Sequence, residues 1–139
     1  MDEIRFKRYK EKINYIINNI NDLPFKPKNK FEKRGIFYSL QTSIESIVDL
    51  VAMTVKDLGS EVKDDATNID FLTQQRDINL ELAENLKKAN GLRNLLVHRY
   101  NDIDEKIIMD SVKEIKTLLL DWIEQIEMIL NGIKDKKSN

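Results

Sequence analysis

Residues 102–130, DIDEKIIMDSVKEIKTLLLDWIEQIEMIL, decide the fold class. Ile108, Val112, Ile115, Leu119, Trp122, Ile126 and Ile129 recur in alternating steps of four and three. That period lays them along one stripe of an α-helix, with charged residues on the opposite side. Asp102 and Glu105 have the spacing of a capping box at its start, with Asp in place of Ser or Thr. A long helix with one apolar face needs other helices to cover that face, so the remaining segments must supply them.

They do so by the same pattern. From about Asp2 to Ile20, the residues Ile4, Tyr9, Ile13, Ile16, Ile17 and Ile20 recur at helical steps, and Pro24 stops the run. From Lys30 to Leu58, Phe37, Leu40, Ile44, Ile47, Val48 and Val51 hold a second stripe, ended by Gly59 as a left-handed cap. A polar stretch, 61–68, leads into a short helix expected around Asp70 to Gln74. A fourth helix is expected from Asp77, as N-cap, to the breakers Asn101-Asp102. Its Asn90-Gly91 pair lies within the helical pattern and not between alternating runs, so it does not read as a hairpin. No segment alternates as strands do. The expectation is all-α: an antiparallel bundle of four to five helices, one domain over residues 1–133, and a polar, disordered tail over 134–139.

Bulk properties narrow the function. The chain has 139 residues, 41% hydrophobic and 34% charged, with a formal net charge of −1. That balance argues against a non-specific nucleic-acid coat, which is usually strongly basic, but leaves room for a local basic site. The absence of cysteine excludes disulfide frameworks, zinc knuckles and thiol nucleophiles. Neither a signal-peptide core nor an apolar run near the ~20 residues of a membrane helix is present, so a soluble, cytoplasmic protein is expected.

The chemistry concentrates in Arg93-Asn94-Leu95-Leu96-Val97-His98-Arg99-Tyr100. His98 is the only histidine, and a lone histidine in a bundle is commonly a surface or capping residue; its neighbours change the reading. At ~100° per residue, Arg93 and Tyr100 share a helix face, while His98 lies ~140° from Arg93. The three converge only if the helix ends near His98. Leu92, Leu95 and Leu96 are placed to anchor this helix to the core. These residue types suit RNA cleavage by a ribose 2′-hydroxyl attacking the adjacent phosphate. Histidine moves protons near neutral pH. Arginine grips phosphate oxygens in a fork and neutralises charge developing on them. Tyr100 or Asn94 can position the phosphate. No metal or other cofactor is needed. Acid and base together call for two histidines, which a two-fold homodimer would supply.

At these residues the chain resembles a known family. Arg93-x4-His98-x-Tyr100 is similar to the signature of HEPN domains, and 91–98, GLRNLLVH, resembles the HepT branch. Residues 40–49, LQTSIESIVD, resemble that family's helix leading to an Asp, here Asp49. The resemblance implies a homodimeric toxin of a toxin–antitoxin system, with Arg93 and His98 as ribonuclease residues acting on RNA. It also implies a minimal nucleotidyltransferase antitoxin that transfers AMP to Tyr100. The alternative is a non-catalytic nucleotide- or RNA-binding helical module that partners such a nucleotidyltransferase and is nucleotidylated on Tyr100.

Other polar groups have plainer readings beside functional ones. Glu45 and Asp49 share a helix face, either solvated or, for Asp49, orienting Arg93 or His98. Asp64-Asp65 and Asp102 with Asp104 lack the Gly and terminal Glu of a calcium loop, and read as caps and loops. Lys87 and Lys88 either steer RNA or pair with Glu84. Trp122 reads as core or dimer packing.

Overall fold

A computed structural model describes residues 1–98 and 105–138, with side chains through residue 134. It contains five helices: α1 (Glu3–Asn21), α2 (Lys30–Asp57), α3 (Asp65–Gln75), α4 (Leu80–His98) and α5 (Glu105–Ser138). No strand occurs among the described residues.

The first three helices begin where a short polar side chain takes up a free backbone N–H. Asp2 accepts from Arg5 N at 2.8 Å, Asn29 from Glu32 N at 2.9 Å and Asp64 from Thr67 N at 3.2 Å. At the start of α2, Glu32 also reaches back to Lys28 N, at 3.2 Å. α2 stops at a Schellman turn. Gly59 N donates to Lys56 O and Ser60 N to Val55 O, with Gly59 at φ 88°, where a Cβ is penalised.

Two starts differ from the sequence reading. α3 begins at Asp65 rather than near Asp70, because Asp64 caps it. α4 begins at Leu80, not just after Asp77. Asp77 adopts φ 52°, a turn conformation incompatible with the extended backbone of an N-cap, and Asn79 instead accepts from Glu81 N at 2.8 Å. α5 continues past residue 133 to Ser138. The capping pair Asp102–Glu105 cannot be followed, since Asp102 lies outside the described residues.

Side-chain pairs give the topology. Arg5–Asp57, Lys12–Asp49 and Asn19–Thr42 run α1 antiparallel to α2. Asn90–Asp65 and Lys87–Asp70 run α4 antiparallel to α3. The Trp122 indole N–H donates to Leu82 O at 3.0 Å, and Lys116 donates to Asn21 O at 3.1 Å, so α5 closes the bundle against both α4 and α1. The ion pair Lys33–Glu105 brings the first turns of α2 and α5 to one end of the bundle.

The core follows the stripes read from the sequence except at the start of α1, where Ile4 is 74% exposed, and at Ile17 and Phe37, which are only partly buried. Ile108, Val112, Ile115, Leu119, Trp122, Ile126 and Ile129 of α5 are all buried, against Tyr9, Ile16 and Ile20 of α1 and Leu40, Ile44 and Ile47 of α2. Trp122 is therefore core. Buried Asn68 substitutes for apolar packing in the 58–64 return. Its amide accepts from Lys63 N at 2.8 Å and donates to Lys63 O at 2.9 Å, pairing both backbone groups. This clamp sets Asp65, the first residue of α3, against α4.

Candidate functional site

α4 carries Arg93, Asn94 and His98 on its last two turns and is helical without interruption through Asn90-Gly91 to His98. A regular helix holds Arg93 and His98 ~140° apart, so they face different surroundings. Arg93 turns inward, between α2 and α3, with its side chain 23% exposed. Asn94 and His98 are exposed, one helical turn apart on a common face. Within one chain the structure thus does not gather Arg93 and His98 on one face. Arg99 and Tyr100, and with Tyr100 the convergence the sequence suggested, lie outside the described residues.

Arg93 sits between two carboxylates. Its Nη1 is 4.0 Å from Glu45 Oε1 of α2, and its Nη2 is 3.9 Å from Asp65 Oδ2 of α3. The same Asp65 oxygen accepts from Asn90 Nδ2 at 3.0 Å, which locks the carboxylate one turn before Arg93. Both contacts to the guanidinium are longer than hydrogen bonds, and Arg93 Nε is buried without a hydrogen-bond partner. A planar guanidinium oriented by charge but short of hydrogen bonds retains donors for oxygen atoms of a ligand.

Asp49 is placed differently from Glu45. Its carboxylate is 63% exposed and lies 3.6 Å from Lys12 of α1, while Glu45, one turn earlier, is the α2 carboxylate beside Arg93. Glu45 and Asp49 do share a face, as their spacing predicts. They line one groove of about 640 Å³ between α1 and α2. Cations and anions balance there: Arg5, Arg8 and Lys12 stand against Glu11, Glu45 and Asp49, giving an anion no net attraction. Sequence reasoning did not connect Asp65 to Arg93. The local hint is that Asn90 and Arg93, three apart, share a side of α4.

The remaining polar residues hold the frame. Asp64 caps α3, and hydrogen bonds from the Thr67 hydroxyl and amide hold its carboxyl below the usual carboxylate range. Lys87 lies between Asp70 and Glu84, and its ammonium is raised by those two partners, Asp70 first. Among the described residues, no three His, Cys, Asp or Glu side chains are grouped to hold a metal ion. Nor is any described helix long and apolar enough to cross a membrane. Of the leucines expected to anchor α4, Leu96 is buried and Leu92 packs against the core, but Leu95 is exposed, as is Val97.

Comparison with known proteins identifies the family and the fold. A protein of Archaeoglobus fulgidus named "Putative RNase" is 49% identical over 131 residues, covering 94% of this chain and 99% of that protein. A second A. fulgidus protein of the same name is 41% identical, covering 73% and 77%. One chain of a solved MntA–HpeT toxin–antitoxin complex superposes with a TM-score of 0.76 at 21% identity, covering 86% of this chain and 98% of its own. One chain of the solved complex of tri-AMPylated Shewanella oneidensis HEPN toxin with MNT antitoxin gives 0.69 at 23%, covering 92% and 99%. These two share the all-α fold. Residues 6–126 match the family model described as ribonuclease HepT-like, so the chain belongs to the HepT-like ribonuclease family.

Proposed function

We propose that this chain is the toxin of a toxin–antitoxin pair and cuts RNA internally, without a metal, at a site completed by a second copy of itself. One observation carries the reading. In a chain of the HepT-like ribonuclease family, the last two turns of α4 present a guanidinium short of hydrogen bonds and an exposed imidazole five residues on. In the reaction, His98 of one copy takes the proton of a ribose 2′-hydroxyl, whose oxygen attacks the adjacent phosphorus. Arg93 holds the non-bridging oxygens as charge builds on them. His98 of the second copy returns a proton to the departing 5′-oxygen. The products are a 2′,3′-cyclic phosphate and a 5′-hydroxyl.

The divergence of Arg93 and His98 within one chain supports a composite site, because two copies can complete what one helix separates. Leu95 and Val97, exposed beside His98, supply apolar surface for such a contact. A minimal nucleotidyltransferase is the proposed antitoxin, with Tyr100 as AMP acceptor. This rests on the likeness to the tri-AMPylated toxin and on the match to Arg-x4-His-x-Tyr. Each AMP adds negative charge and bulk where an anionic substrate must enter.

The test is cleavage of a labelled RNA by purified protein in EDTA. Arg93→Ala and His98→Ala should each slow cleavage by about 10²-fold or more while the helical circular dichroism signal is kept. Full activity in both variants refutes the site, and loss of activity on chelation refutes metal independence. Incubation with the nucleotidyltransferase and ATP should add AMP mass to the wild type and none to Tyr100→Phe.

A further inference from the structure

The chain as a whole is slightly acidic, but its charge is unevenly distributed. Residues 25–34, FKPKNKFEKR, hold five cations, Lys26, Lys28, Lys30, Lys33 and Arg34, against one anion, Glu32. The other residues hold 18 cations against 23 anions, a net charge of −5. This concentration lies in the linker before α2 and at its start; residues 4–13, IRFKRYKEKI, are equally basic in sequence, but there Arg5 is paired with Asp57 and Lys12 with Asp49. Lys33 is partly covered and paired with Glu105; Lys26, Lys28, Lys30 and Arg34 are exposed.

Two aromatic rings stand in the same place. Phe31 is 68% exposed and Tyr38 60%, far above what a core aromatic shows. They are seven residues apart and so share one side of α2. Cations already rest on the first ring: Lys30 Nζ lies 5.3 Å from the Phe31 centroid and the Arg34 guanidinium carbon 6.0 Å. Between the rings sits Gly35, where an added Cβ would meet nothing within 4 Å. Glycine inside a helix costs stability, and packing does not require it here. Its effect is to leave the helix surface between Phe31 and Tyr38 open.

This surface adjoins the candidate site. α4 runs antiparallel to α2 with Arg93 opposite Glu45. At ~1.5 Å rise per residue, His98 is then level with the Leu40 turn of α2, which includes Tyr38. Lys33 reaches the first residue of α5, just beyond the segment that follows His98.

We infer that the start of α2 is a docking platform for single-stranded RNA: Phe31 and Tyr38 stack unpaired bases across the open surface at Gly35, and Lys26, Lys28, Lys30 and Arg34 hold the backbone phosphates. Exposed rings interleaved with cations match that ligand in both of its chemistries, flat bases and regularly spaced anions. A duplex buries its base faces and cannot use the rings. The inference rests on the RNA-cutting reading of the site, and it explains how an acidic chain attracts an anionic substrate.

The experiment uses the full chain with His98→Ala, so that RNA survives, and reads fluorescence anisotropy of a labelled single-stranded RNA of about ten nucleotides. Replacing Phe31 and Tyr38 by Ala should weaken binding at least about fivefold for each ring. Replacing the four exposed cations by Gln should flatten the dependence of log affinity on log salt by about 0.7 for each. The same sequence as a duplex should bind more weakly than the single strand. Affinity unchanged on loss of both rings, an unchanged salt slope, or a shift in oligomeric state on light scattering overturns the platform. Cleavage that depends on Arg93 and His98 while binding ignores both rings overturns the platform and leaves the nuclease standing. Ring-dependent binding without any cleavage by the wild type does the reverse.

Discussion

Replacing Tyr9 by Phe tests how α1 is fastened to α2. Tyr9 is fully buried, and its hydroxyl donates to Asp57 Oδ2 at 2.5 Å, while Arg5 Nε donates to the same oxygen at 2.9 Å. The variant fits the same space and deletes one of these two donors. A hydrogen bond to a charged group is worth about 1.5–3 kcal/mol. For a domain of this size that lowers Tm by roughly 5–10 °C at neutral pH. The same substitution alters the alkaline limb. Burial first, then the bond to Asp57, pushes the Tyr9 phenol well above its ordinary value near 10. The folded state keeps the proton that the unfolded chain releases above about pH 10. The stability tied to that proton is whole below pH 10 and is lost as pH rises from there toward the folded pKa, at about 1.4 kcal/mol per pH unit. Phe has no such proton. The advantage of wild type over variant should therefore shrink above pH 10 and vanish by roughly pH 11–12. Urea melts of both proteins from pH 7 to pH 11.5 measure this directly (about three points per unit suffice). A neutral-pH gap under about 0.5 kcal/mol, or a gap that stays constant above pH 10, refutes the assignment.

Two glycines should respond oppositely to alanine. Gly59→Ala forces a Cβ into φ 88° and should cost about 1 kcal/mol, whereas Gly35→Ala, in an open helix interior, should gain about 0.5–1 kcal/mol, both by denaturant melts; matching signs would contradict the turn and helix assigned to them. Arg93→Lys keeps the charge but cannot span Glu45 and Asp65 with a fork, so RNA cleavage should fall by about 10²-fold with little change in Tm. A lysine variant that cuts at the wild-type rate would show that only the charge matters.

The long helices were legible because burial follows the 3.6 period where one face meets the core. Every residue of the stripe from Ile108 to Ile129 is buried as its spacing predicts. The pattern was less informative where polar side chains do the packing. The first turns of α3 are polar, and Asn68 earns its buried place through two backbone hydrogen bonds that no hydrophobic period reveals. Asp77 looked like a cap by residue type, yet the cap is Asn79, because the backbone at residue 77 turns left-handed. At the site, the Arg93–His98 spacing stood out from the sequence, but the carboxylates beside Arg93 did not. Asp65 reaches it only because the 58–64 return carries the chain back across α2, a long-range path that local spacing cannot encode. Asp49 and Glu45 differ by one helical turn, and the partner of each is decided by which neighbour, α1 or α4, passes that turn.

The indole bond from Trp122 to the Leu82 carbonyl links residues 40 apart in the chain, and Lys116 to Asn21 spans 95. On the ribosome, then, α4 emerges well before the helix that anchors it. Arg93 and His98 leave the exit tunnel on a helix whose apolar side still lacks α5, and α1 waits for α5 until residue 116 has emerged. A chain that stops between Tyr100 and Trp122 carries the motif but lacks the indole bond that ties α4 to α5, so α4 is then held by α2 and α3 alone.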